Sequence, residues 1–156
     1  MTTVQSRSRC VLRPSECWEK LSDLSLADRY VPGVKGQHFV SQNRTGLGTS
    51  RVVESSAGEL HETVIEWNEG SGFVLRLHRG EGPPRPMREA TFRYAIEPDG
   101  VTTRVVLTMT YAFGLGPLGP MIERLARPAM QRNVDRIADR LVRFWETGSA
   151  EPDLVA

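Results

Sequence analysis

GPLGPMIERLARPAMQRNVDRIADRLVRFWE, residues 116–146, is the stretch from which the rest of the chain can be placed. With helical spacing, Leu118, Ile122, Leu125 and Ala129 share one stripe, and Met130, Val134, Ile137, Leu141 and Phe144 share a second. At about 100° per residue the second stripe lies a quarter to a third of a turn from the first, and Pro128 falls where they meet. Proline lacks an amide hydrogen and crowds the carbonyl four residues back, so a bend is expected near residues 124–128. The later half has the length and regularity to lie across a sheet. The earlier half, entered through Gly114, Gly116 and Gly119, reads as a mobile flap.

Upstream of this helix the period is two. Met87 to Ile96 places Ala90, Phe92, Tyr94 and Ile96 on one face, and Thr103 to Phe113 places Val105, Leu107, Met109, Tyr111 and Phe113 on one face. Their other faces carry Arg93, Arg104, Thr108 and Thr110, as in an antiparallel sheet wetted on one side. Shorter strands are expected from Val34, at Arg51 to Val53, at Glu59 to Trp67 and at Phe73 to Arg79, separated by Gly-, Asn- and Pro-rich turns. Thr3 to Leu12 forms a first strand. Pro14 and Glu16 then open a short helix with Cys17, Trp18, Leu21 and Leu24 on one face, and a second short turn ends at Pro32-Gly33. The order is strand, two short helices, about six strands and one long helix, an α+β arrangement. A rod cannot contact a curved sheet everywhere, so a space between them is expected.

A chain of 156 residues fits one domain, expected over 1–148, with 149–156 as a disordered tail. Lys+Arg number 20 and Asp+Glu 19, which argues against a nucleic-acid partner. Cys10 and Cys17, the only cysteines, read as buried thiols in a reducing compartment. With no apolar signal core and no long uncharged run, the expected location is cytoplasmic. His38 and His78 lie on separate strands without metal-ligand spacing, so neither metal nor cofactor is expected. There is no phosphate-binding glycine loop, no serine elbow and no cysteine nucleophile with a base.

Taken in order, RPSECWEKLSDL (13–24), GLGTSRVV (46–53), GELHETVIEWNEG (58–70), DGVTTRVVLTMTYAF (99–113) and the helix from Gly116 to Phe144 resemble the START-like superfamily, in its polyketide cyclase/dehydrase and lipid-transport branch. The resemblance spans nearly the whole chain. It implies a helix-grip fold, a curved seven-stranded antiparallel sheet around the C-terminal helix, enclosing a hydrophobic cavity. Family members bind lipids, polyketides, hormones or other apolar molecules, and some cyclise aromatic polyketides. In those cyclases the strand matching HETVIEW carries an arginine directed into the cavity, and this sequence has Thr63 at that position.

Strand parity taken from the resemblance points His61, Thr63, Ile65 and Trp67 inward, with Phe73, Leu75, Leu77 and Arg79 from the next strand. Phe92, Leu107, Met109 and Met130 complete an apolar lining, and Tyr94, Tyr111 and Asn133 supply polar marks. His61 is a candidate acid/base group, with Tyr111 or Arg79 as partner, since its neighbour Glu62 points to the opposite face. Glu62 and Glu66 are expected on the solvated face. Arg132, Arg136, Arg140 and Arg143, interrupted by Asp135 and Asp139, read as a solvated helix face rather than a membrane contact.

The expected function is binding of a hydrophobic small molecule in the cavity, as carrier or sensor, by a monomer or homodimer. The alternative is a polyketide cyclase/dehydratase in the same cavity, with His61, Tyr111 or Arg79 supplying proton transfer. A third reading is a protein-interaction module, whose sign would be an exposed apolar patch.

Overall fold

The computed structural model describes residues 1–149. Strand β1 (Thr2–Cys10) leads into helix α1 (Pro14–Leu21) and a 3₁₀ turn (Leu24–Arg29). Six strands follow: β2 (Val34–Phe39), β3 (Ser50–Ser55), β4 (Gly58–Asn68), β5 (Gly72–His78), β6 (Met87–Asp99) and β7 (Thr102–Phe113). A short 3₁₀ turn (Gly116–Leu118) then enters helix α2 (Gly119–Thr147). All seven strands form one antiparallel sheet in the order β1-β7-β6-β5-β4-β3-β2. This is the helix-grip arrangement. The tail expected at 149–156 lies, from residue 150 on, outside the described residues.

Local chemistry explains the element ends. At the start of α1 the Arg13 amide donates to Glu16 Oε2 at 3.1 Å, and Pro14 needs no amide partner. Asp23 Oδ1 accepts from the Ser25 amide at 3.1 Å and starts the 3₁₀ turn. Helix α2 ends at Gly148, whose φ of 73° gives the left-handed cap that a Cβ disfavours. Pro128 sits inside α2, and the helix continues through it.

Residues paired across antiparallel strands share a face, so the register defines the concave wall. Ala90, Phe92, Tyr94 and Ile96 of β6 oppose Tyr111, Met109, Leu107 and Val105 of β7. Val4 and Ser6 of β1 extend this face toward α2, while Leu75 and Phe73 of β5 extend it the other way. Helix α2 packs over β1 and β7, burying Val134, Ile137, Ala138, Leu141 and Trp145. The expected second stripe is thus the core-facing one, with Met130 and Phe144 packed at its margin. Arg140 departs from the expected solvated face and is only 6% exposed, among these core residues. The first stripe faces outward.

Strand β4 contains the feature that decides which side chains face the interior. Val64 pairs with Leu75 and Glu66 with Val74, so Ile65 is an extra, unpaired residue. This bulge reverses the alternation. Trp67 points inward opposite Phe73, as expected, but upstream of the bulge the inward residues are Val64, Glu62 and Leu60.

Candidate functional site

The concave wall is dominated by rings. Trp67 stacks on Phe73 with centroids 5.4 Å apart and planes 12° from parallel, Phe73 lies 5.1 Å from Tyr94, and Tyr94 lies 4.8 Å from Phe92. Trp18 of α1 meets Trp67 edge-on at 5.2 Å. Both indole N–H groups donate to one carboxylate, Trp18 to Glu69 Oε1 at 3.0 Å and Trp67 to Glu69 Oε2 at 2.8 Å. Those two bonds hold the Glu69 carboxyl below its ordinary range.

Set into this wall is one ion pair. Arg51 of β3 and Glu62 of β4 are directly opposed, with Nη2 and Nε of the guanidinium 2.8 and 2.9 Å from Glu62 Oε2. Arg51 Nη1 also donates to the Leu24 carbonyl, tying the sheet to the 3₁₀ turn. The Arg51 side chain is 3% exposed and that of Glu62 15%. Burial works against the arginine charge, but Glu62, with Tyr30 and Tyr94, more than offsets it and keeps the guanidinium above its ordinary range.

Two buried phenols complete the polar group. Tyr30 and Tyr94 meet edge-on, with ring centroids 6.3 Å apart. Burial pushes Tyr30 up to about 12, against the pull of Arg51, and burial followed by the Tyr30 and Glu62 charges raises Tyr94 well above its usual value. Both hydroxyls therefore stay protonated at neutral pH. The wall combines one neutralised charge pair and two neutral hydroxyls with aromatic and aliphatic surface.

Phe73, Leu75, Leu77, Phe92, Tyr94, Leu107, Met109 and Tyr111 all lie on the concave wall, as expected, and Trp67 joins them. His61, Thr63 and Ile65 do not. The bulge leaves Ile65 48% exposed and turns Thr63 and His61 to the convex face opposite Arg76 and His78. There Thr63 Oγ1 lies 2.9 Å from Ser50 Oγ and 2.8 Å from His78 Nε2, while His78 Nδ1 lies 2.6 Å from the Gly80 carbonyl. A carbonyl only accepts, so Nδ1 donates to it. His61 packs beside His78 at 5.4 Å. Glu62 is inside, contrary to its expected solvated position.

His61 meets neither of its candidate partners, Tyr111 and Arg79. Tyr111 is fully buried and its hydroxyl donates to the Glu123 carbonyl at 3.2 Å, Arg79 is exposed beyond β5, and His61 is on the other face. Asn133 is exposed on α2. Sequence reading missed Arg51, Glu62 and Tyr30. The available signal was Leu60-Glu62-Val64, an alternation that places a carboxylate among apolar neighbours, opposite an arginine in Ser50-Arg51-Val52-Val53. Among the described residues no group of three or more His, Cys, Asp or Glu could hold a metal ion.

One opening reaches the rim of the wall. A groove of about 640 Å³ lies between Pro83–Arg88 and Gly114-Leu115, where β7 turns toward α2. A second groove, of about 460 Å³, lies where β5 and β6 part beyond the Arg76–Thr91 pair and opens on the convex side, lined by Ile65, Arg76, His78, Glu89 and Thr91 among others.

A family model described as polyketide cyclase/dehydrase and lipid transport matches residues 1–144. Among solved structures, a Thermobifida fusca protein is similar with a TM-score of 0.72 and 19% identity, over 99% of this chain and 100% of that one. A START superfamily protein from Mycobacterium smegmatis gives 0.64 and 15%, over 91% and 98%. The di-domain aromatase/cyclase BexL of the BE-7585A biosynthetic pathway gives 0.70 and 13%, over 92% of this chain and 47% of that one. At such identities the likeness is one of fold. No curated protein matches the sequence.

Proposed function

Because the chain belongs to the polyketide cyclase/dehydrase and lipid transport family, we propose that it binds a hydrophobic small molecule against its concave wall, as a carrier or sensor. The observation that supports this reading is the composition of the wall, a continuous run of rings and aliphatic side chains broken by one internally neutralised pair, Arg51–Glu62, and the Tyr30 and Tyr94 hydroxyls. A ligand enters at the rim between Pro83–Arg88 and Leu115. Each Å² of apolar surface it loses to the wall contributes about 25 cal/mol before ordering costs. Since Glu62 already neutralises Arg51, the preferred ligand carries a hydroxyl or carbonyl rather than a net charge. Trp67 lies in the wall, so titration with long-chain alcohols and fused-ring ketones should change tryptophan emission saturably. A signal that stays flat for every member of both series refutes the reading.

A second reading, polyketide cyclisation on the same wall, is favoured by one observation: a cation and two neutral phenols converge on the interior, with Arg51 reaching in from β3 although Thr63 replaces the expected arginine on β4. A Tyr hydroxyl would donate to a ketone oxygen while the wall holds the chain folded. Turnover of a linear poly-β-ketone thioester that disappears in Tyr94→Phe, with ligand binding retained, separates this reading from simple carriage. An absence of turnover in the unaltered protein excludes it for that substrate.

A further inference from the structure

The segment from Leu115 through the 3₁₀ turn into the first half of α2 carries an apolar stripe turned away from the core. Leu115, Leu118, Met121 and Leu125 are 48%, 55%, 54% and 74% exposed, and half-buried Ile122 lies between them. Leu118, Met121, Ile122 and Leu125 recur at three- and four-residue spacing, so they form one continuous face. On the segment that carries it the exposed charges have one sign. Between Phe113 and Val134 the basic residues Arg124, Arg127 and Arg132 are exposed, and the only carboxylate, Glu123, is buried. Glu123 is engaged by the Phe113 amide at 2.9 Å, Thr2 Oγ1 at 3.0 Å and the N-terminal amine at 3.3 Å. None of the three arginines forms an ion pair among the described residues. Arg124 borders the stripe, Arg132 continues the Leu118–Leu125 line two turns on, and exposed Arg85 and Arg88 stand across the adjoining groove. No acidic residue occupies the first turn of α2, leaving the positive end of the helix dipole unopposed.

We propose that this face docks on the surface of an anionic lipid bilayer. Leu118, Met121 and Leu125 enter the boundary between headgroups and acyl chains, and Arg124, Arg132 and the groove arginines meet lipid phosphates. Three considerations select this occupant. Four side chains offer on the order of a few hundred Å², below the roughly 800 Å² per partner of a stable protein interface. A second copy of the chain would bring the same arginines against one another. A bilayer requires no matching groove, and its negative surface complements the arginines. The inference is independent of what the concave wall binds.

The test is co-sedimentation of the full chain with vesicles of phosphatidylcholine alone or mixed with phosphatidylglycerol. Binding is expected to the mixed vesicles, weakening with salt, and much less to phosphatidylcholine. Leu118→Gln with Leu125→Gln should lower the partition coefficient roughly tenfold or more, and Arg124→Glu with Arg132→Glu should abolish the preference for anionic lipid. These positions are exposed, so the thermal transition should be unchanged in both variants. The proposal is overturned if the protein ignores anionic vesicles, if both variants bind as before, or if the stripe instead mediates self-association that Leu118→Gln with Leu125→Gln removes.

Discussion

Arg51 on β3 and Glu62 on β4 stand directly opposite each other and meet at 2.8 Å on the concave face, the one ion pair set into a wall of rings and aliphatic side chains. Removing either partner strands the other in a poorly solvated position. Arg51→Ala is expected to destabilise the protein by about 3 kcal/mol, while Arg51→Met combined with Glu62→Leu recovers most of that loss. Urea unfolding of the single and double variants gives the coupling directly. Independent, additive losses would show that the pair is not the unit described here.

Glu123 makes the N-terminal half of α2 pH-sensitive. The Phe113 amide bond, then Thr2 and the N-terminal amine, hold its carboxyl below the usual 4.5. A depressed folded value means that the stabilisation is fully present above about pH 4.5 and is lost as pH falls through the lower value. Glu123→Gln should therefore lower the thermal midpoint at neutral pH, with the gap to the unaltered protein closing in acid. A gap independent of pH would contradict the assignment.

The Cys10 thiol is fully buried at the end of β1, 3.8 Å from Cys17 Sγ, and burial pushes it up to about 12. The thiolate is the reactive form, so iodoacetamide at about pH 8 should leave Cys10 unmodified in the folded protein and label it once unfolded. Peptide mapping after each treatment reads this out.

Gly72 begins β5 where no side chain fits. A Cβ there would lie 2.1 Å from the Tyr94 carbonyl oxygen, inside the β5–β6 pairing that carries Phe73 against Tyr94. Gly72→Ala should cost about 3 kcal/mol or more, because backbone rather than a flexible side chain has to move. Chemical denaturation checks this, and a loss below about 1 kcal/mol would mean that the strand pair yields easily.

Much of this architecture can be read directly from residue patterns. In β6 and β7 alternation is unbroken over long runs, and Ala90 to Ile96 and Val105 to Phe113 face where their period places them. In α2 the stripe through Val134, Ile137 and Leu141 likewise finds the core. The site was less legible because a single inserted residue, Ile65, reverses parity on β4. Nothing in Thr63-Val64-Ile65-Glu66, where β-branched residues run together, distinguishes a bulge from regular pleating. The pairing of Arg51 with Glu62 depends on that register and on β3, which is distant in local pattern though adjacent in space.

Native mass spectrometry of the purified full chain, titrated with long-chain alcohols and fused-ring aromatic ketones, tests ligand binding at the concave wall most directly. A saturable one-to-one adduct is expected with members of at least one series. Bare protein throughout both series, under conditions where a control lipid carrier retains its ligand, would contradict the claim that the concave wall is a binding surface.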